Sequence, residues 1–160
     1  MKHTMRKINR LVSDKNELIE IMGRCDVCRI GFFDGEFPYI VPMNFGFDYS
    51  DGLTLYFHCA PEGRKLDIIR ENNKVCFEMD CSHQLKTGEL ACQYSMNYEC
   101  IIGEGEIFIV EDKEEKINGL HLLMKQYGRT ADLHYDDKVL SRTVVLKINA
   151  TDFTGKKLNK

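Results

Sequence analysis

Alternation of apolar and polar positions is the dominant pattern in this chain, and helical spacing interrupts it at a few places. Over 53–58, Leu53, Leu55 and Phe57 fall on one face of a strand while Thr54, Tyr56 and His58 fall on the other. Pro61 closes that strand. A helix is predicted from about 62, with Leu66 and Ile69 on one face and Asn72-Asn73 as its stop. Upstream, Asp14 followed by Glu17 marks a helix start, and Leu18, Ile21, Met22 and Cys25 give a short amphipathic helix ending near 23–25. A strand over 27–33 leads to a turn at Asp34-Gly35 and a second strand over 37–48, which Pro38 and Pro42 interrupt. Proline has no amide proton for a ladder, so Pro42 marks a bulge, an edge or a place where a ligand replaces the neighbouring strand. Ser50-Asp51-Gly52 then turns the chain into 53–58.

Downstream, Val75, Phe77 and Met79 alternate over a strand at 74–80, whereas 81–97 carries no period and reads as an excursion over the surface. A long strand over 98–110 puts Gly103 and Gly105 on the same face as Ile101, Ile107 and Ile109, which implies a close backbone approach or a tight bend. A helix over 111–127 is acidic at its start, buries Leu120, Leu123 and Met124, and is followed by Gly128. A last strand over 143–149 alternates Val144, Leu146 and Ile148. At least six strands, joined mostly by short turns, predict a mainly β (α+β) fold, a small barrel carrying helices. The chain divides into a loosely held basic arm over 1–13, one domain over 14–155 and a polar tail over 156–160.

Composition narrows the class. A chain of 160 residues, 43% hydrophobic and 29% charged, supports one sizeable core. A formal net charge of −3 argues against nucleic acid or an anionic membrane as the main partner. No apolar run approaches the roughly 20 residues that span a bilayer, and the N-terminus has no signal-peptide core. Seven cysteines, an odd number without a secretory signal, fit reduced thiols. A cytoplasmic protein is expected.

Three sets of residues carry candidate chemistry. Gly63, Arg64 and Lys65 fall in the first turn of the helix after 62, where the positive end of the macrodipole disfavours cations. They make sense there if a phosphate docks at the helix start, and otherwise form a solvated basic turn. Cys25-x-x-Cys28 reads as a redox dithiol, as half of a zinc site completed by Cys81, His83 and Cys92, or as two small hydrophobes. Cys76, Cys81 and Cys92 most simply read as small hydrophobes too. His58 is either a hydrogen-bonded structural histidine or a chemical group, whereas His83, His121 and His134 read as surface residues.

The runs PYIVPMNFGFD, LTLYFHCAPEGRKLDIIRENNKVCFEMD and YECIIGEGEI, in that order, resemble the pyridoxamine 5′-phosphate oxidase-related flavoproteins. Within them the chain is most similar to the nitroimidazole-resistance branch, over about 14–110 and again at FTGKK. The resemblance implies an antiparallel split β-barrel with peripheral helices, a homodimer, and FMN held between the two subunits. Val41, Pro42, Met43, Asn44 and Phe45 are then expected along the isoalloxazine ring. Phe57 and His58 would lie beside the ring and ribityl chain, with Gly63, Arg64 and Lys65 at the phosphate. Cys100 stands near the flavin where relatives often have Ser. True pyridoxamine-phosphate oxidases carry an Arg- and His-rich segment near the C-terminus, and this chain has FTGKKLNK instead. The expected function is an FMN-dependent oxidoreductase passing electrons from a nicotinamide donor to a small acceptor, nitroaromatics being one candidate. The alternatives are a flavin- or haem-binding module without catalysis and a metal or redox sensor built on Cys25 and Cys28.

Overall fold

The computed structural model describes residues 6–131 and 133–158. In chain order the strands are β1 (Leu11–Val12), β2 (Cys28–Phe33), β3 (Pro38–Met43), β4 (Gly46–Asp48), β5 (Thr54–Cys59), β6 (Lys74–Lys86), β7 (Ser95–Ile109) and β8 (Val144–Leu158). The helices are α1 (Lys15–Arg24), α2 (Arg64–Glu71), α3 (Lys113–Gln126) and α4 (Asp137–Arg142). All strands join one antiparallel sheet in the order β3-β2-β6-β7-β8-β5-β4, with β1 added against β8. β3 and β4 stand at opposite ends of that order, yet only Asn44 and Phe45 separate them in the chain. The three Cα steps from Met43 to Gly46 reach at most about 11 Å, whereas six strand spacings of about 4.8 Å would set the ends of a flat sheet roughly 29 Å apart, so the sheet must curl until its two ends meet. The outcome is a split β-barrel, as expected, with its seam where the chain steps from β3 to β4.

The barrel interior holds Ile30, Phe45, Leu55, Phe57, Phe77 and Ile107, all fully buried. Asp14 accepts from the Glu17 amide at 2.9 Å and starts α1, whose Leu18, Ile21 and Met22 close one end of the core. α3 lies across β4 and β5, where Gly46 lets the backbones approach and Gly119 makes room for the Tyr56 ring. Tyr56, on the second face of β5, packs beneath Gly119 with Val110 and Val145. The close approach read from Gly103 and Gly105 is present: a Cβ on Gly105 would lie 2.3 Å from the Asn149 carbonyl oxygen.

Several boundaries differ from the sequence reading, for a common reason. β6 does not end at Asp80 but continues to Lys86, so most of 81–97 is a hairpin with a 3-10 turn at Ala91–Gln93. A bulge between Cys81 and Gln84, with Ser82 at φ 59°, breaks the alternation on which the reading relied. β8 likewise runs on to Leu158, past a register shift at Glu104/Gly105 on its partner β7. Lys156 and Lys157, expected in a tail, therefore pair with Cys100 and Glu99, and Lys157 bonds to Glu17 of α1. Part of the expected arm is also structured, because Leu11 and Val12 pair with β8 and Val12 is buried. Residues 1–5 and 159–160 of the expected arm and tail lie outside the described residues. α4, capped by Asp136, was not expected.

Gly46 and Gly23 give a paired test of this packing. A Cβ on Gly46 would lie 2.3 Å from the Leu123 amide nitrogen, whereas one on Gly23 would meet nothing within 4 Å. Gly46→Ala is expected to cost about 1–3 kcal/mol through overpacking. Gly23→Ala, on an exposed helical turn, is expected to stabilise by about 0.5 kcal/mol. Urea unfolding of the two variants checks both signs.

Candidate functional site

The candidate site lies at the barrel seam, where β3 faces the end of β5 and the start of α2. β5 delivers the chain to Gly63, whose φ of 131° is one that residues with a side chain rarely adopt. Among the described residues, α1, α3 and α4 each receive a carboxylate cap, from Asp14, Asp112 and Asp136. α2 receives none, so its first amides have no side-chain acceptor and two cations stand beside them.

Arg64 reaches across to the β2–β3 hairpin. Its Nε donates to Asp34 Oδ2 at 2.8 Å, its Nη2 bonds to the same oxygen, and its guanidinium lies 4.4 Å over the Tyr39 ring. Lys65 is half-buried and makes no ion pair among the described residues. It stands near the end of β5: burial pushes the Cys59 thiol up, and the Lys65 charge opposes that shift. Asp34 and Tyr39 belong to this site although the sequence marked them only as a turn and a strand residue.

Among the described residues β3 pairs with β2 alone, which makes it an edge strand, one of the readings that Pro42 allowed. Val41 and Met43 are half-buried, and Pro42 and Asn44 are exposed. Phe45 and Phe57 are fully buried, so their side chains pack in the core and only their backbones border the seam. The β4–β5 ladder ends with Gly46 opposite Tyr56, so His58 lies two residues past its last pair. His58 is exposed and makes no side-chain hydrogen bond among the described residues, including the bond to the Pro61 or Glu62 backbone that a purely structural role needs. Cys100 is buried on β7, opposite Asp80 and Lys156, and stands three strands from β3, about 14 Å across the sheet. Burial pushes its thiol up.

Tyr127, at the end of α3, holds the seam together. Its hydroxyl donates to the Asp26 carbonyl at 2.8 Å and accepts from the Phe45 amide at 3.1 Å and from Asn44 Nδ2 at 3.0 Å. The adjacent Gln126 donates to the Met22 and Cys25 carbonyls at 2.9 and 2.8 Å. Nothing in the local pattern near 127 signals this role, because the partners lie 82 and 101 residues away.

The cysteines are arranged differently from the dithiol reading. Cys25 closes α1 and Cys28 opens β2 with its side chain in the core, both buried as small hydrophobes. Burial and the Glu78 charge push Cys28 up to about 12, which keeps it a neutral thiol. Cys76 and Cys92 are exposed, contrary to expectation, and Cys81 is half-buried. Cys76 is exposed because it sits on the outer face of β6, across from Gly31. Among the described residues no group of three or more His, Cys, Asp or Glu is placed to hold a metal ion. His83 bonds Asp80 at 2.7 Å, and His121 stacks on Tyr135. No helix among the described residues is long and apolar enough to cross a membrane.

The outer face of the sheet carries a second feature. Phe33, Ile40 and Ile102 are each more than half exposed there, as is Phe37 in the β2–β3 turn. A cavity of about 540 Å³ opens at Phe33, lined by Gly31, Phe33, Pro38, Cys76, Glu104 and Glu106 among others. None of the seam residues described above lines it.

A family model described as pyridoxamine 5′-phosphate oxidase matches residues 14–157. A solved structure of a candidate 5-nitroimidazole antibiotic resistance protein from Bacteroides thetaiotaomicron is 34% identical, covers 92% of this chain and 86% of its own, and superposes with a TM-score of 0.79. The flavocytochrome Anf3 from Azotobacter vinelandii (15% identity, 99% of this chain, 73% of its own) shares the fold with a TM-score of 0.81. An FAD and heme binding protein from Mycobacterium smegmatis (16% identity, 94% and 74%) does so at 0.80. No curated protein sequence matches the chain.

Tyr127→Phe removes one hydroxyl shared by three partners. It is expected to cost about 1–2 kcal/mol in urea unfolding and to speed hydrogen exchange at the Phe45 amide. Unchanged exchange there would show that the hydroxyl does not fix the seam.

Proposed function

The chain belongs to the pyridoxamine 5′-phosphate oxidase family, and from that premise we propose that it is an FMN-dependent oxidoreductase working as a dimer. The observation that carries the reading is the uncapped start of α2, where free amides, Gly63, Arg64 and Lys65 converge beside an edge strand. That donor set fits a phosphate monoester. A flavin bound there supplies two-electron redox chemistry at its ring. Lys65 and the α2 amides hold the phosphate, and Arg64 joins them by loosening its bond to Asp34. The free edge of β3 along Val41–Asn44 offers backbone donors and acceptors to a flat polar ring. His58, two residues past the last β4–β5 pair, makes no side-chain hydrogen bond among the described residues and is open to a ligand.

The acceptor class we infer is a small molecule, with nitroaromatics the first to assay and a nicotinamide as donor. The likeness to the Bacteroides protein supports that choice. Pyridoxamine phosphate is not the substrate we assign, because Phe153–Leu158 form the end of β8, paired with β7, and supply neither His nor Arg. The partner is a second copy of the chain, docked through the apolar outer face around Phe33, Ile40 and Ile102.

Arg64→Ala and Lys65→Ala are expected to weaken FMN binding while leaving the fold intact. A charge-assisted hydrogen bond is worth about 1.5–3 kcal/mol, roughly ten- to hundredfold in affinity. Arg64 should fall at the low end, because Asp34 competes for it. Riboflavin, which lacks the phosphate, should be insensitive, and equal weakening of both ligands in fluorescence titrations would refute the phosphate assignment. Light scattering should give about twice the 18.6 kDa chain mass for flavin-loaded protein, and the chain mass itself would exclude the dimer. His58→Gln keeps hydrogen-bonding capacity but loses the imidazole. FMN should still bind, while acceptor turnover falls. Unchanged turnover would make His58 a bystander.

A further inference from the structure

The cysteine that faces Cys25 is not its neighbour in the C-x-x-C run but Cys81, brought in from the bulge of β6. The Cys25 thiol donates to the Ile21 carbonyl at 3.2 Å, and the Cys81 thiol reaches the same oxygen at 3.8 Å. That carbonyl belongs to the last turn of α1. The Cys25 amide goes instead to Met22 O, so the thiols serve an acceptor that the helix leaves over. Cys28 faces the other way, into the barrel beside Met43 and Met79.

The two thiols differ in access. Cys25 is 2% exposed, and burial, followed by the neighbouring Cys81, pushes it well above the usual thiol range. Cys81 is half-buried, with the Arg24 guanidinium and the Ser82 hydroxyl beside its sulfur and Glu99 at 3.7 Å. Arg24 itself bonds Glu99 at 2.7 Å. Ser82 sits in the left-handed backbone region at the bulge, so the segment carrying Cys81 departs from the regular ladder.

We propose that Cys25 and Cys81 form a redox pair that closes to a reversible disulfide when a peroxide withdraws two electrons. Cys81 attacks first: its sulfur takes one peroxide oxygen, the O–O bond breaks, and the thiol proton leaves with the other oxygen as water. Cys25 then displaces hydroxide from the Cys81 sulfenic acid, releasing a second water and forming the S–S bond. Both sulfurs are oxidised by one electron each, and one peroxide is reduced. A dithiol reductant reverses the step. The bridge ties the end of α1 to β6 next to Asp26, whose carbonyl anchors Tyr127 and Asn44 at the seam.

The test uses full-length protein carrying Cys76→Ser and Cys92→Ser, so that exposed thiols cannot link two molecules. After one equivalent of hydrogen peroxide, alkylation under denaturing conditions should find two fewer thiols than in the untreated protein. Fragmentation of the unreduced tryptic digest should join Cys25 to Cys81, and dithiothreitol should restore both thiols. Cys25→Ser and Cys81→Ser should each abolish the paired loss, while Cys28→Ser should leave it intact. A Cys25–Cys28 link overturns the proposal, as does over-oxidation of Cys81 in the wild-type pair without loss of Cys25. The digest of the otherwise unaltered pair decides the matter even if a serine variant does not fold.

Discussion

Everything in this fold depends on a step of two residues. Asn44 and Phe45 carry the chain from one edge of the sheet to the other, and the curl of the barrel follows from how short that step is. One phenolic hydroxyl holds the step, taking the Phe45 amide and the Asn44 side chain while giving its own proton to Asp26. Without partners, the two sheet edges would present open ladders of the kind that invite mispairing. Tyr127 and Gln126 thus bind the seam, the end of α1 and the end of α3 into one unit, through side chains of consecutive residues.

The same seam explains why the candidate site is electrostatically poised. Cations at a helix start are unfavourable against the macrodipole, and here the opposing charge comes from another element, the Asp34 carboxylate of the β2–β3 turn. Arg64 is therefore already paired, and stacked on Tyr39, while Lys65 is not ion-paired among the described residues. An anion arriving at α2 meets one free cation and one that must be shared.

Cysteine placement follows the pleat rather than the spacing in sequence. Cys28, as the first residue of β2, takes the inward phase set by Ile30 and Phe32, and burial, with the Glu78 charge, keeps it a neutral thiol. Cys25 sits outside that strand, at the cap of α1, and so meets whatever the barrel end presents to the helix. What it presents is the β6 bulge with Cys81. The bulge thus both hid the continuation of β6 from a reading by alternation and set the thiol where α1 can reach it.

The local elements were legible in residue order. Alternation located six strand segments, of which the one expected over 37–48 is broken at Asn44 and Phe45 into β3 and β4; Asp14 and Glu17 located α1, and Pro42 marked a strand that is indeed an edge. Gly103 and Gly105 marked a close backbone approach, and Gly63, Arg64 and Lys65 marked a helix start without a carboxylate cap. These are properties of a few adjacent residues, set by backbone geometry and side-chain chemistry that act over one or two turns. The tertiary structure decided the rest: the length of β6 and β8 beyond their irregular registers, the burial of Phe45 and Phe57 away from the seam surface, and the pairing of Arg64 with Asp34. It also decided the bond from Tyr127 to Phe45 and the approach of Cys81 to Cys25. Each of those joins residues at least 30 positions apart or depends on how strands register across the barrel, and no local pattern encodes a partner that only closure of the sheet brings into reach.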